Sequence, residues 1–149
     1  MLRTKLLQPQ ILEALGRAGH GAKVLIADGN YPFSTTLGPN AALVSLNLSP
    51  GVVSCTQVLE TLGTVIPIEA AAVMDVPRSG PGAFLDDPPI WSEFEKLLKA
   101  ARAGVRLERL ERFQFYRAAA APETALVVAT GEERIYANLL LTIGVVLPA

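Results

Sequence analysis

Residue 20 is the only histidine in the chain, and it lies between two glycines in the segment Gly19-His20-Gly21. Histidine is the side chain whose ordinary pKa lets it exchange protons near neutral pH, so His20 is a candidate general acid or base. The residue is expected on a turn between a helix and a strand, where active-site residues often lie. A histidine that caps a helix or fills a core would look the same in sequence, so both interpretations stay open.

Asp28 is a second candidate, because it directly follows the apolar run 23–27, which is typical of a short strand. In open α/β sheets, ligands bind beyond the carboxyl ends of the strands, and Asp28 is expected there. Asp28-Gly29 is also a common turn pair, so a structural role explains it as well. Our hypothesis is that Asp28 orients His20, since a nearby carboxylate favours the charged imidazole.

Three further polar side chains suit a ligand that is rich in hydroxyl groups. Arg112 offers a rigid fork of hydrogen-bond donors. Tyr136 and Asn138 flank one residue of a segment that we expect to be extended, so their side chains should point to the same face. A phenol and an amide together suit sugar hydroxyls, although ordinary structural roles also explain these residues.

Glu69 and Cys55 lie within apolar segments. A buried carboxylate is costly unless it is paired, so Glu69 either faces the site or pairs across a subunit interface. We interpret Cys55 as a packing residue, because it comes early in an apolar helix. One cysteine and one histidine are too few ligands for a usual zinc site, so no metal is expected. The sequence contains neither a nucleotide-binding glycine pattern nor a nucleophile elbow.

Short helices and short apolar strands alternate along the chain and must position these residues. The predicted helices cover residues 9–18, 55–62, 90–101 and 113–121. The predicted strands cover residues 23–27, 42–46, 65–74, 105–110, 125–129 and 139–141. The segment 77–89 is rich in proline and glycine, and we predict a loop there. Strands that are apolar on both faces favour a single α/β domain over residues 1–149, with a largely parallel sheet covered by helices.

The composition narrows the class of protein. Half of the 149 residues are apolar and only 18% are charged, which favours a well-filled core or a sizeable subunit interface. The net charge is −1 and basic residues are scattered, so nucleic-acid binding is not expected. No apolar run reaches the roughly 20 residues of a membrane span, and no signal-peptide core develops. Because a lone cysteine also fits a reducing compartment, we expect a cytoplasmic protein without membrane contacts.

Taken in order, these segments resemble the ribose pyranase and fucose mutarotase family over nearly the whole chain, from Leu7 to Val146. The combination is more specific than any single segment. Fucose mutarotases have arginine at the position of Arg112, where ribose pyranases typically have histidine, so the chain resembles the fucose branch more closely. The matching segments are Gly19-His20-Gly21, Asp28 with Pro32, Arg112-Phe113-Gln114-Phe115-Tyr116, Thr130-Gly131-Glu132, Tyr136-Ala137-Asn138, Leu139-Leu140-Leu141 and Gly144-Val145.

The resemblance implies an isomerase that interconverts the α and β anomers of a monosaccharide, L-fucose or a related sugar, without a cofactor. It implies that His20 is the proton donor, and we expect Tyr136 to assist proton transfer. It also implies a homo-oligomer, often a decamer ring in this family, with sites near subunit contacts. The expected sugar-binding residues are Asp28, Arg112, Tyr136, Ala137 and Asn138, with Glu69 and Asn30 in supporting positions.

The chain departs from the fucose branch at a few positions. Ala22 stands where that branch usually has an acid after the Gly-His-Gly segment. Asn30 replaces a histidine, which keeps a polar group but loses a titratable one. The segment 77–89 is also atypical. Two alternatives therefore stay open: a D-ribose pyranase, which performs related chemistry on another sugar, and a sugar-binding accessory protein that does not catalyse.

Overall fold

Helices and strands alternate along the chain, as the sequence predicts. The structure is a computed structural model that describes residues 1–149. The strands are β1 (Lys23–Ala27), β2 (Ala42–Ser45), β3 (Ile68–Met74), β4 (Leu107–Leu110), β5 (Thr124–Ala129) and β6 (Leu139–Ile143). The helices are α1 (Pro9–Arg17), α2 (Cys55–Leu62), α3 (Pro89–Ala100) and α4 (Arg112–Ala119). None of these helices has the length and apolar character that a membrane crossing requires.

All six strands form one sheet, in the order β2-β5-β1-β6-β3-β4. The pairs β2–β5, β1–β5 and β3–β4 are parallel, whereas β6 runs antiparallel to both β1 and β3. The predicted largely parallel sheet is therefore confirmed, with β6 as its one reversed strand. As a result, the segments that follow the other five strands and the segment that precedes β6 meet at one end of the sheet. We call this the carboxyl end, and the opposite one the amino end.

The central strands β1, β5 and β6 are buried on both faces, which explains why they are apolar without alternation, whereas the edge strands β2 and β4 are largely exposed. In β1, Val24 and Ile26 belong to a large hydrophobic cluster on one face, whereas Leu25 and Ala27 belong to a smaller cluster on the other. Successive side chains of a strand point to opposite faces, so both faces of β1 need cover. The helices supply that cover with side chains that include Ile11, Leu59 and Phe94 in the large cluster and Phe115 in the small one.

Local sequence accounts for where the helices begin. The Ser54 hydroxyl accepts the backbone N–H of Gln57, and the Gln57 side chain accepts the backbone N–H of Ser54. This capping box, which the sequence predicts, satisfies two donors at the start of α2. Pro9 and Pro89 begin α1 and α3, where a missing N–H costs nothing.

Glu69 corrects one sequence-based prediction. We expected a buried carboxylate inside a strand over residues 65–74, but β3 begins only at Ile68, and Glu69 is its second residue. The Glu69 side chain is exposed, because continuous burial in β3 starts only at Ala71. The burial argument for pairing Glu69 therefore does not apply, although the residue does have a partner.

Candidate active site

A polar cleft of about 180 Å³ lies at the carboxyl end of the sheet. Topology assembles it: Asp28 follows β1, Arg112 follows β4 and Asn138 precedes β6. These positions are distant in sequence, yet the strand order brings them to the same end of the sheet. The residues that line the cleft are Asp28, Asn30, Tyr31, Met74, Arg112, Tyr116, Ile135, Tyr136 and Asn138. The cleft therefore contains five of the residues that the sequence singles out.

Asp28 lies at the centre of a buried hydrogen-bond network, with only 2% of its surface exposed. Its carboxylate accepts the N–H of Asn30 at 3.0 Å, the N–H of Ala137 at 3.3 Å and the amide Nδ2 of Asn138 at 3.1 Å. The backbone N–H of Asp28 in turn donates to Asn138 Oδ1 at 2.8 Å. This reciprocal pair fixes the orientation of the Asn138 amide.

The network gives Asp28 and Ala137 definite tasks. Burial raises the pKa of Asp28, and the N–H groups of Asn30 and Ala137 act in the opposite direction without reversing the shift. Ala137 contributes its backbone N–H, so its small side chain is not the functional group. Asp28 thus holds the segment before β6 against the end of β1, and this fixes one wall of the cleft.

Tyr136 lies in that wall in an unusual backbone conformation. Its φ angle is 57°, in the left-handed region that non-glycine residues rarely adopt. The Trp91 indole donates to the Tyr136 carbonyl at 2.9 Å. Our prediction of an extended segment here is wrong, because residues 135 and 136 form a turn. Tyr136 and Asn138 nevertheless both line the cleft.

Arg112 and two tyrosines form the opposite part of the cleft. The Arg112 guanidinium lies 5.7 Å from the centre of the Tyr116 ring, and it makes no ion pair with a carboxylate. Tyr116 packs against Tyr31 with ring centres 5.7 Å apart. Arg112 therefore keeps its donors available for a ligand. Neither tyrosine is among the site residues predicted from the sequence, although Tyr116 falls within the segment that carries the family resemblance.

A second buried carboxylate, Glu132, lies beside the cleft. Its oxygens accept Arg134 Nε at 2.8 Å and Arg134 Nη2 at 2.9 Å, and one of them also accepts the N–H of Cys55 at 3.3 Å. Burial raises the pKa of Glu132, but the hydrogen bonds and charge of Arg134 outweigh it, so the pKa falls below its ordinary value. Glu132 is thus a charged structural anchor of the loop after β5.

Cys55 has the packing role that the sequence predicts. The thiol is fully buried, and its Sγ lies 3.3 Å from the Thr130 hydroxyl. Burial raises the pKa of Cys55 to about 12, so the residue stays a neutral thiol at physiological pH. No group of three or more histidine, cysteine, aspartate or glutamate side chains is placed to hold a metal ion.

His20 lies at the amino end of the sheet, away from the cleft. It precedes β1, whereas Asp28 follows it. The five residues of β1 therefore separate the two side chains, which amounts to a strand of roughly 16 Å. Our hypothesis that Asp28 orients His20 is wrong within one chain, because Asp28 is bound to Asn138 and Ala137 instead.

Glu69 is the carboxylate that contacts the histidine. His20 Nε2 lies 3.0 Å from Glu69 Oε1 and 2.9 Å from Oε2. The two side chains are 59% and 43% exposed, respectively. The backbone N–H of Gly21 donates to the Ile143 carbonyl at 2.9 Å, which fixes the histidine turn beside the end of β6. The pair is therefore ordered in position but open to solvent or to a partner.

Comparison with known proteins agrees with these observations. The chain matches the RbsD / FucU transport protein family over residues 1–146. It is 35% identical to the fucose mutarotase of Homo sapiens over 147 residues, which cover 94% of this chain and 90% of that protein. It is 32% identical to the D-ribose pyranase of Streptomyces avermitilis over 146 residues, which cover 97% and 98% of the two chains.

The fold also resembles that of a solved fucose mutarotase. The crystal structure of the fucose mutarotase from Streptococcus pneumoniae in complex with L-fucose superposes on this chain with a TM-score of 0.81 and 26% identity. That superposition covers 99% of this chain and all of the other. The family match extends over almost the entire sequence, and the elements that build the cleft all lie within it. The chain therefore belongs to the RbsD / FucU family.

Proposed function

We propose that this protein is a monosaccharide mutarotase that interconverts the α and β anomers of L-fucose or a closely related sugar. The observation that carries the proposal is the polar cleft, where Arg112, Tyr136 and Asn138 converge in a member of the RbsD / FucU family. A guanidinium, a phenol and an amide supply directional donors and acceptors for several hydroxyl groups. The aromatic rings beside them offer apolar surface for the carbon face of a sugar.

The reaction needs proton transfer and no electron transfer. An acid protonates the ring oxygen while a base removes the proton of the anomeric hydroxyl, so the bond between the ring oxygen and the anomeric carbon breaks. The open aldehyde rotates, and the ring closes on its other face with the proton movements reversed. Sugars already mutarotate in water, so a positioned acid–base group, which typically contributes about 10²- to 10⁴-fold, supplies most of the acceleration required.

We assign that acid–base role to His20 and its orientation to Glu69. Because His20 Nε2 faces both oxygens of the Glu69 carboxylate, it donates its proton there. Nδ1 is then the nitrogen left to exchange a proton with the sugar. Glu69 thus fixes the tautomer of the imidazole, the role that our sequence-based hypothesis gave to Asp28.

The position of His20 requires a second copy of the chain. Within one chain the histidine and the polar cleft lie at opposite ends of β1, so the imidazole does not reach a sugar in its own cleft. We propose that His20 of one copy completes the cleft of a neighbouring copy. A contact between two different surfaces of the same molecule is heterologous, and repetition of such a contact forms a ring when the rotation between copies closes. This fits the oligomer that the family resemblance implies.

Exposed apolar side chains at both ends of the sheet support this assembly. Val146 and Leu147 follow β6 near the histidine turn and are largely exposed. At the other end, Phe113 lies next to Arg112, and Ile135 lines the cleft, and both are also exposed. Contact between the two sets would remove both from water, which is favourable for apolar side chains.

Saturation-transfer NMR on L-fucose and D-ribose tests the proposed function. We expect catalytic amounts of the protein to speed up exchange between the fucose anomers, and the His20→Ala variant to lose this effect. Faster exchange of ribose alone would favour the D-ribose pyranase activity named for the Streptomyces relative. Saturable sugar binding without faster exchange of either sugar would contradict catalysis and indicate an accessory sugar-binding protein.

A further inference from the structure

Charged side chains attach the proline-rich segment 77–88 to the sheet, and we call this segment the strap. Arg78, near its start, donates to Asp75 at 3.1 Å and to Asp87, near its end, at 2.7 Å. Arg109 of β4 also pairs with Asp87. The two ends of the strap are therefore held together and against β4. These ion pairs restrict the position of the strap residues between Arg78 and Asp87.

Phe84, in the middle of the strap, contacts a residue of the polar cleft. Its backbone N–H donates to the Pro77 carbonyl at 2.8 Å, which folds the strap back on itself. Its ring meets the Tyr136 ring edge to face, with centres 5.3 Å apart and an interplanar angle of 80°. This is a favourable geometry for two aromatic rings. The next residue, Leu85, is 97% exposed and provides a matched position on the same strap.

Tyr136 depends on its surroundings for its conformation. A left-handed backbone is disfavoured for a bulky side chain and persists only where neighbouring groups hold it. The Trp91 indole holds the Tyr136 carbonyl, and Asp28 holds the next N–H, that of Ala137. Both contacts restrain the backbone. Phe84 is an aromatic partner of the Tyr136 ring itself.

The strap and the support of Tyr136 share one side chain, Arg109. Its guanidinium lies 5.2 Å from the centre of the Trp91 ring, and it also pairs with Asp87 of the strap. The strap, Trp91 and Tyr136 therefore form one contiguous set of contacts. Phe84 contacts Tyr136 directly within this set.

We propose that Phe84 is a positioning residue, which sets the orientation of the Tyr136 side chain in the polar cleft and thereby the affinity for the sugar. This inference rests on the proposed function, because it takes the cleft as the sugar site. Phe84 acts through Tyr136 and does not itself line the cleft. Loss of the ring frees the Tyr136 side chain, so KM should rise about two- to tenfold, the range expected from one aromatic pair, while kcat changes less.

The test combines sugar kinetics with a signal that needs no sugar. Trp91 is the only tryptophan, so its indole N–H gives one resonance in a ¹⁵N–¹H spectrum and reports on the bond to the Tyr136 carbonyl. We expect Phe84→Ala to raise KM and to shift this resonance. Phe84→Tyr keeps the ring and should restore both values. Leu85→Ala, the matched control on the same strap, should change neither.

Unchanged KM and an unmoved indole resonance in Phe84→Ala would overturn the proposal. Should that variant fail to fold, Phe84→Leu is the substitute, because it keeps the apolar volume but removes the aromatic edge. Unchanged KM and an unmoved indole resonance in Phe84→Leu would likewise overturn the proposal. Absence of both sugar exchange and sugar binding in the unsubstituted protein would instead refute the proposed function, and with it the effect on KM. The indole resonance would still decide whether Phe84 positions Tyr136.

Discussion

The two ends of the sheet differ in how completely one chain builds them. At the carboxyl end, Asp28 and Asn138 are buried and hold each other through reciprocal hydrogen bonds. At the amino end, His20 and Glu69 also form a pair, but both side chains are largely exposed. The difference indicates a division of labour. Under the proposed function, a single chain preorganises the sugar-binding surface, and the proton-transferring group joins a site only when another copy covers it.

Removal of the histidine should have the largest effect on activity and almost none on the fold. We expect His20→Ala to slow anomer exchange by about 10²- to 10⁴-fold, the usual contribution of an acid–base group. Because the pair with Glu69 is exposed, its loss should change the free energy of unfolding by no more than about 1 kcal/mol. Saturation-transfer NMR and urea unfolding measure the two quantities. Full activity in this variant would remove the acid–base role of His20.

Removal of the buried carboxylate should show the opposite pattern. Asp28→Ala leaves the N–H groups of Asn30 and Ala137 and the amide of Asn138 without their acceptor. Each buried donor without a partner costs about 1–3 kcal/mol, so we expect a loss of at least about 2 kcal/mol in urea unfolding. Glu69→Ala is the matched control at the amino end, and it should cost under about 1 kcal/mol. Equal costs for the two variants would contradict the contrast between the two ends.

The two buried carboxylates of the carboxyl end should respond to pH with opposite signs. The pKa of Glu132 is lowered in the folded state, so the unfolded chain takes up the proton first as the pH falls. The stability that Glu132 contributes is therefore lost as the pH falls below 4.5, the ordinary pKa of this residue. The pKa of Asp28 is raised, so the folded state takes up the proton first as the pH falls. Acid therefore reduces the loss of stability that results from burying the Asp28 charge.

Urea unfolding between pH 7 and pH 3 separates the two carboxylates. Glu132→Gln should cost about 1.5–3 kcal/mol at neutral pH, the usual value of a hydrogen bond to a charged group. This difference from the unsubstituted protein should shrink as the pH falls below 4.5. A difference that stays constant over the whole pH range would show that Glu132 does not act through its charge.

The smallest expected effect concerns Tyr31, whose buried hydroxyl has no hydrogen-bond partner. Burial of an unpaired hydroxyl is unfavourable, so Tyr31→Phe should raise the free energy of unfolding by up to about 1 kcal/mol. KM should stay unchanged, because the hydroxyl is not exposed in the cleft. A higher KM in Tyr31→Phe would instead make this hydroxyl part of the sugar site.

Local patterns explain how much of the fold could be predicted. The strand 23–27 was predicted with the bounds of β1, because an apolar run ends at a turn pair there. The predicted strand 65–74 was too long, since β3 begins after Pro67, which has no N–H to donate to a sheet. Boundaries of this kind depend on hydrogen bonds to strands that are distant in sequence, which a local pattern does not contain.

For the site, the rule that ligands gather at the carboxyl ends of strands placed Asp28 correctly. The same reasoning could have excluded contact between His20 and Asp28, because the two residues precede and follow one strand. The backbone conformation of Tyr136 could not be predicted by such rules, since it is left-handed and depends on support from Trp91 and Asp28. The partner of His20 was also hidden, because only the pairing of β3 with β6 brings Glu69 beside the histidine turn.

Mixing of two inactive variants tests the central claim most directly. His20→Ala loses the proton donor and keeps the cleft, whereas Arg112→Glu should lose sugar binding and keep the histidine, and both positions are exposed enough to preserve the fold. The two variants are refolded together at equal amounts, and native mass spectrometry confirms mixed assemblies. If each site takes its histidine from one copy and its cleft from another, about a quarter of the sites are intact, and a corresponding share of the anomer-exchange activity returns. If the mixed assemblies are no more active than the two variants measured separately, the site is not shared between copies.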